Sequence, residues 1–102
     1  MQMNRREKWE ELLTALTQME KNILEERQLR KEEGRSSFSY WLYAKKVNEY
    51  GQQEQSTKEQ IRKRFEEVIE QHRINIEDNP LDEEIRNRSL RAIEEAKKWM
   101  EK

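Results

Sequence analysis

The chain has 102 residues, which suit one domain and are too few for two. Its 21 Lys and Arg residues nearly cancel its 22 Asp and Glu residues, which argues against a protein that coats DNA or RNA through bulk positive charge. The chain has no cysteine, so disulfides and thiolate chemistry are excluded, and no apolar run approaches the ~18 residues of a membrane span. With 42% charged and 32% hydrophobic residues, we expect a helical cytoplasmic protein with a thin core.

The first predicted element is a long helix over residues 4–33, which Gly34 would end. Its apolar residues recur at intervals of three and four, the spacing of one stripe on a helix: Trp9, Leu12, Leu16, Met19 and Ile23. A helix of this size is roughly 45 Å long, which is long for so small a domain. We therefore expect its far end to project or to pack against a second copy.

The second segment holds five of the eight aromatic residues: Phe38, Tyr40, Trp41, Tyr43 and Tyr50. Aromatic residues favour strands, but no second strand is available for pairing. The sequence therefore predicts a short aromatic helix over residues 36–50, and Ser36 or Ser37 could cap its start.

This predicted helix has two apolar faces. Phe38, Trp41 and Leu42 form the first, which we expect to fill the core. The second carries three tyrosines beside basic residues, and rings beside cations suit either a nucleotide or a protein surface. For the tyrosines, core and binding roles are both open. The candidate binding residues are Arg35, Tyr40, Tyr43, Lys45, Lys46 and Tyr50.

The third predicted helix covers residues 57–77 and opens the C-terminal hairpin. Ser56 and Glu59 have the S-x-x-E spacing of a capping box, which marks the start of a helix. The apolar residues that follow recur at threes and fours: Ile61, Phe65, Val68, Ile69 and Ile76.

The fourth predicted helix covers residues 80–101 and completes the hairpin. Pro80 suits the first helical position, with Asn79 or Asp78 as the cap. The apolar residues of this segment are Leu81, Ile85, Ala92, Ile93, Ala96, Trp99 and Met100.

Together these elements predict an all-α antiparallel bundle of three long helices plus one short aromatic helix. In up-down-up-down order, the start of the first helix and the end of the fourth share one end of the bundle, which would bring Trp9 near Trp99. Because the core of such a monomer is thin, we expect a homo-oligomer.

Little chemistry is available on these helices. His72 is the only histidine, and it lies between Ile69 and Ile76 on an apolar stripe, as a partly buried interface residue would. Gly34 and Gly51 are isolated, so neither belongs to a phosphate-binding loop. We expect no enzyme, no catalytic residue, no metal site and no cofactor.

The hairpin also carries a family resemblance. The run Thr57-Lys58-Glu59-Gln60-Ile61, the turn proline Pro80, and the pattern Leu90-x-x-Ile93-Glu94-Glu95-Ala96-x-x-Trp99 resemble the helical hairpin of small phage anti-CBASS sponge proteins. The resemblance covers residues 57–99. It implies a non-enzymatic oligomer that sequesters a cyclic nucleotide messenger, stacking bases on an aromatic ring just upstream of the hairpin. The matching ring here would be Tyr50.

Three functions are therefore open for a non-catalytic protein in the cytoplasm, which would be the host cytoplasm if the chain is phage-encoded. The most specific is a phage-type sponge for a cyclic nucleotide signal. The alternatives are a protein–protein interaction module (an inhibitor or adaptor that uses the aromatic face) and a purely structural helical oligomer.

Overall fold

The computed structural model describes residues 5–30, 35–52 and 57–101, with side chains described for residues 8–26, 40–52 and 57–101. These residues form four helices and no strand: α1 (Arg5–Arg30), α2 (Arg35–Gly51), α3 (Lys58–Asp78) and α4 (Glu83–Met100). The all-α class is thus confirmed, and so is the helical rather than extended form of the aromatic segment. At 17 residues, α2 is the shortest helix.

The helices pack as a bundle around α3. The predicted C-terminal hairpin is present, with α3 packed most extensively against α4, while α1 packs mainly on α3 and α2 packs on α1. Arg88 Nη1 lies 3.7 Å from Glu26 Oε1, which brings the start of α4 beside the later half of α1. This contact agrees with the antiparallel order of those two helices. Trp9 and Trp99 both pack against the core, and their proximity to each other stays a prediction.

The core follows the apolar stripes of α1, α3 and α4, with one residue from α2. Its buried members are Leu16, Met19, Ile23, Tyr43, Ile61, Phe65, Val68, Ile69, Ile93 and Ala96. Three- and four-residue spacing places the α1, α3 and α4 members on one side of their helices, so their burial follows directly from helical geometry. Removal of this apolar area from water is what holds the bundle together.

The start of α3 differs from the predicted capping box by one residue. Thr57 is the cap: the Gln60 backbone N–H donates to Thr57 Oγ1 at 3.1 Å, and the Thr57 N–H donates to Gln60 Oε1 at 2.8 Å. Ser56 lies outside the described residues. The capping-box pattern occurs twice in overlapping positions, as Ser56-x-x-Glu59 and as Thr57-x-x-Gln60. The structure uses the second, in which Thr57 has the extended backbone of a cap residue.

The predicted start of α4 at Pro80 is wrong, because the helix begins three residues later. Asp82 is its cap and accepts the Ile85 backbone N–H at 3.1 Å. Asn79 instead ends α3, donating its backbone N–H to the Ile76 carbonyl. Pro80 therefore lies in the turn between the helices. Leu81, predicted on the apolar stripe, is 95% exposed there, since a turn tip has no neighbouring helix to cover it.

The predicted caps of α2 are also displaced. Because α2 already includes Arg35, Ser36 and Ser37 lie inside its first turn and do not precede it. A serine inside the turn cannot serve as the cap, which stands before the first helical residue.

Candidate functional site

The face of α2 that was expected in the core lies outward, and of the two roles left open for the tyrosines Tyr43 has the core role. Trp41 and Leu42, expected in the core, are 65% and 44% exposed, whereas Tyr43 is only 2% exposed. Val47 packs against the core, and Tyr40 and Tyr50 are half-buried. Phe38, the third residue of the expected core face, has its side chain outside the described part of the chain.

This orientation of α2 has a geometric and a chemical cause. Residues 43, 47 and 50 are spaced by four and three, so they share one stripe, while Trp41 lies about 160° around the helix from Tyr43. The inward stripe meets the Glu67 carboxylate of α3, which accepts a hydrogen bond from the Tyr50 hydroxyl. Leu42 has no polar side-chain atom and could not use that partner.

A buried ion pair between α1 and α3 lies at the centre of this contact. Arg64 Nη2 donates to Glu20 Oε1 at 2.6 Å, and Arg64 Nε donates to Glu20 Oε2 at 3.1 Å. Both side chains are buried, Glu20 to 1% exposure. The two parallel bonds have the bidentate geometry in which guanidinium and carboxylate bind each other most strongly. Sequence reasoning missed both residues.

Tyr50 joins α2 to this pair. Its ring centroid lies 4.7 Å from the Arg64 guanidinium carbon, a cation–π distance. Its hydroxyl donates to the Glu67 carboxylate, 2.9 Å from each oxygen. Lys46 Nζ lies 3.9 Å from Glu67 Oε1 on the outer edge. We refer to Glu20, Tyr43, Tyr50, Arg64 and Glu67 as the buried polar cluster.

The surroundings of Glu20, Tyr43 and Tyr50 shift the pKa values of these three residues. Burial, reinforced by the negative charge of Glu20 and Glu67, raises the pKa of Tyr43 well above its ordinary value. Burial and the hydrogen bond to Glu67 raise the pKa of Tyr50 in the same direction. Burial also raises the pKa of Glu20, although the hydrogen bond from Arg64 acts against it. Both tyrosines therefore keep their hydroxyl protons, and Tyr50 donates its proton to Glu67 in a hydrogen bond.

The six predicted site residues fall into three places. Tyr43, Tyr50 and Lys46 come together around Glu67, where the tyrosine rings are occupied by protein contacts. Lys45 is exposed on the other side, one turn from Trp41, and Tyr40 is half-buried between the two sides. The side chain of Arg35 lies outside the described part of the chain. Trp41, which sequence reasoning assigned to the core, replaces the tyrosines as the exposed ring.

A second feature is a groove between α1 and α4, with α3 at its base. It encloses about 470 Å³, and we call it the acidic groove. Its lining residues are Met19, Asn22, Glu25, Glu26, His72, Glu84, Ile85, Arg88, Ala92 and Glu95. His72 is buried at its base, more deeply than the partly buried interface histidine predicted from the sequence. Arg88 bridges the rim, 2.8 Å from Glu84 and 3.7 Å from Glu26.

Neither a metal-binding group nor a membrane-spanning helix occurs among the described residues. Among the described residues, no group of three or more His, Asp or Glu side chains could hold a metal ion. None of the helices described is long and apolar enough to cross a bilayer. Comparison of the chain with family models, with curated proteins and with solved structures finds no match.

Proposed function

We propose that the protein is non-catalytic and works as a protein-interaction module that binds through the outward face of α2. This face consists of Trp41, Leu42 and Lys45. The observation that carries the proposal is the exposure of a tryptophan and a leucine side by side on a helix, 65% and 44% respectively. Tryptophan is the residue most enriched in the energetic centres of protein interfaces.

The inner side of α2 supports the same proposal. The Tyr50–Glu67 hydrogen bond and the burial of Tyr43 hold the helix against α1 and α3, so the outward face is presented in one orientation. A surface that is ordered before binding loses less conformational freedom when the partner arrives. The basic Lys45 at its edge favours a partner surface that combines an apolar patch with acidic groups.

A sponge for a cyclic nucleotide is the second candidate. The resemblance of residues 57–99 implies it, and one observation favours it: Trp41 and Lys45 are exposed one turn apart, which offers a ring to a base and a cation to a phosphate. In this version Trp41 takes the stacking role first expected of Tyr50. A cytoplasmic location is part of both proposals.

Two measurements separate the candidates. A photoreactive amino acid placed at position 41 in the full chain should crosslink to protein in cells that express it. The same group at Glu70, an exposed position on α3, is the matched control. In parallel, the purified protein is heated with a panel of cyclic dinucleotides and trinucleotides.

We expect a crosslinked protein at position 41, none at position 70, and no change of melting temperature with any nucleotide. A rise in melting temperature that follows the logarithm of nucleotide concentration, and that Trp41→Ala abolishes, would instead support the sponge. Equal crosslinking at both positions would contradict a docking role for the outward face.

A further inference from the structure

We propose that the partner of the outward face of α2 is a second copy of this chain, and that the acidic groove of that copy receives it. The inference rests on the proposed function, because it names the partner of the same face. Two surfaces of one molecule support the inference. The outward face of α2 exposes large apolar side chains, and the acidic groove is a concave surface with apolar residues and carboxylates in its lining.

The floor of the acidic groove suits large apolar side chains. Met19, Ile85 and Ala92 line it, between the α1 and α4 rims. At about 470 Å³ the groove is within the range of roughly 300 to 1,000 Å³ typical of binding pockets. Such a space accommodates one or two large side chains, and Trp41 and Leu42 are a pair of exposed ones on a single helix.

The charges of the two surfaces are opposite in sign. The rims of the groove carry four carboxylates, and Arg88 is the single cation among the lining residues. Arg88 contacts Glu84 and Glu26, whereas Glu25 and Glu95 form no ion pair with any described side chain. On α2, Lys45 is exposed on the outward face, whereas Lys46 lies on the inner side, 3.9 Å from Glu67 of the same molecule, and Glu49 is the only acidic residue of the helix. Lys45 is therefore the cation that the outward face brings to Glu25 or Glu95 of another molecule.

A second copy accounts for both surfaces with one contact. Burying Trp41 and Leu42 in the groove removes their apolar area from water and enlarges the thin core through the oligomer. The contact joins two different patches. It is completed either in a two-fold dimer, where the face of each molecule enters the groove of the other, or by repetition between successive molecules, which closes a ring or continues as a chain.

Sedimentation velocity over a range of protein concentrations tests the contact through exchanged charges. One variant, Lys45→Glu, makes the outward face acidic. The other, Glu25→Lys with Glu95→Lys, makes the groove rims basic. All three positions are exposed, so the fold should tolerate the changes. Two control variants change charge at exposed positions outside both surfaces. Lys97→Glu matches the sign of Lys45→Glu, and Glu70→Lys matches the sign of the groove variant.

We expect the unmodified chain to sediment above the monomer mass as concentration rises. Each exchanged variant should associate at least tenfold more weakly, and the two control variants should behave like the unmodified chain. An equimolar mixture of the two exchanged variants should associate again, because an acidic face then meets a basic groove and a basic face meets an acidic groove.

The proposal is overturned if the unmodified chain is a monomer at every concentration, if the exchanges leave its association unchanged, or if the mixture fails to recover it. A monomer whose position 41 still crosslinks to a different protein would overturn the second copy as partner and leave the interaction module standing. A monomer without such a crosslink would overturn both.

Discussion

The C-terminal hairpin and α2 are both helical, but they are attached to the protein in different ways. α3 and α4 meet through apolar side chains that recur along each helix, such as Val68 and Ile93. α2 contributes one fully buried residue, Tyr43, and its Tyr50 makes polar contacts with Glu67 and Arg64 of α3. Apolar burial is non-directional and spread over many residues, whereas a polar contact depends on a few atoms in one geometry. Substitutions should therefore affect the two regions differently.

Breaking the buried ion pair should have the largest effect. Arg64→Met leaves the Glu20 carboxylate buried without its cation, which costs about 3–5 kcal/mol of unfolding free energy. Urea unfolding followed by circular dichroism measures this loss. In the double variant Glu20→Leu, Arg64→Met no charge is left buried, so most of the stability should return. A double variant as unstable as the single one would contradict this account.

The raised pKa values of the tyrosines predict a loss of stability in alkali. Above pH 10 the unfolded chain releases the Tyr43 proton while the folded protein retains it, so the unfolding free energy falls as pH rises, and below pH 10 this contribution is fully present. The expected slope from Tyr43 alone is about 1.4 kcal/mol per pH unit. Urea unfolding at several alkaline pH values measures the slope. Tyr43→Phe should reduce it, and an unchanged slope would show that Tyr43 titrates normally.

Removing the hydroxyl of Tyr50 should weaken the attachment of α2 by a smaller amount. Tyr50→Phe loses the hydrogen bond to the Glu67 carboxylate, and we expect a cost of about 1.5 kcal/mol. Tyr43→Phe is the matched control, because the buried Tyr43 hydroxyl has no hydrogen-bond partner among the described residues. At neutral pH its removal should be close to neutral. Hydrogen exchange of the α2 amides, compared with those of α3, shows whether the loss is local to α2.

The smallest effect is expected at the turn of the hairpin. Asp82→Ala removes the side chain that accepts the Ile85 N–H, at a cost of about 1 kcal/mol. Glu77→Ala is the comparison, since it removes an exposed carboxylate from the last turn of α3, on the other side of the same turn. Thermal unfolding of the two variants distinguishes them, and an equal loss in both would contradict Asp82 as the cap.

Much of the bundle could be predicted from the sequence because the relevant signals are local. The spacing of Leu16, Met19 and Ile23 by three and four residues indicates both that the segment is a helix and which of its faces is buried. No residue distant in the sequence is needed to interpret it. The start of α4 was missed because Pro80 and Asp82 both carry start signals, and only the three-dimensional turn decides between them.

The attachment of α2 could not be predicted in the same way. Tyr50 is positioned by Arg64 and Glu67 of α3, and Arg64 in turn by Glu20, 44 residues away. One signal was present: Arg64 lies three residues after Ile61 and four before Val68, so a charge interrupts an apolar stripe. Such a charge indicates a buried partner, but the sequence does not say which of 22 acidic residues it is.

The Glu20–Arg64 pair also has a consequence for the alignment of α1 along α3. A stripe that repeats every three or four residues packs almost as well after a shift of one turn, about 5.4 Å along the axis. Such a shift would carry the Glu20 carboxylate away from the Arg64 guanidinium, and two charges would then be buried apart from each other. The ion pair therefore selects one register of α1 along α3, among several that apolar packing alone would allow.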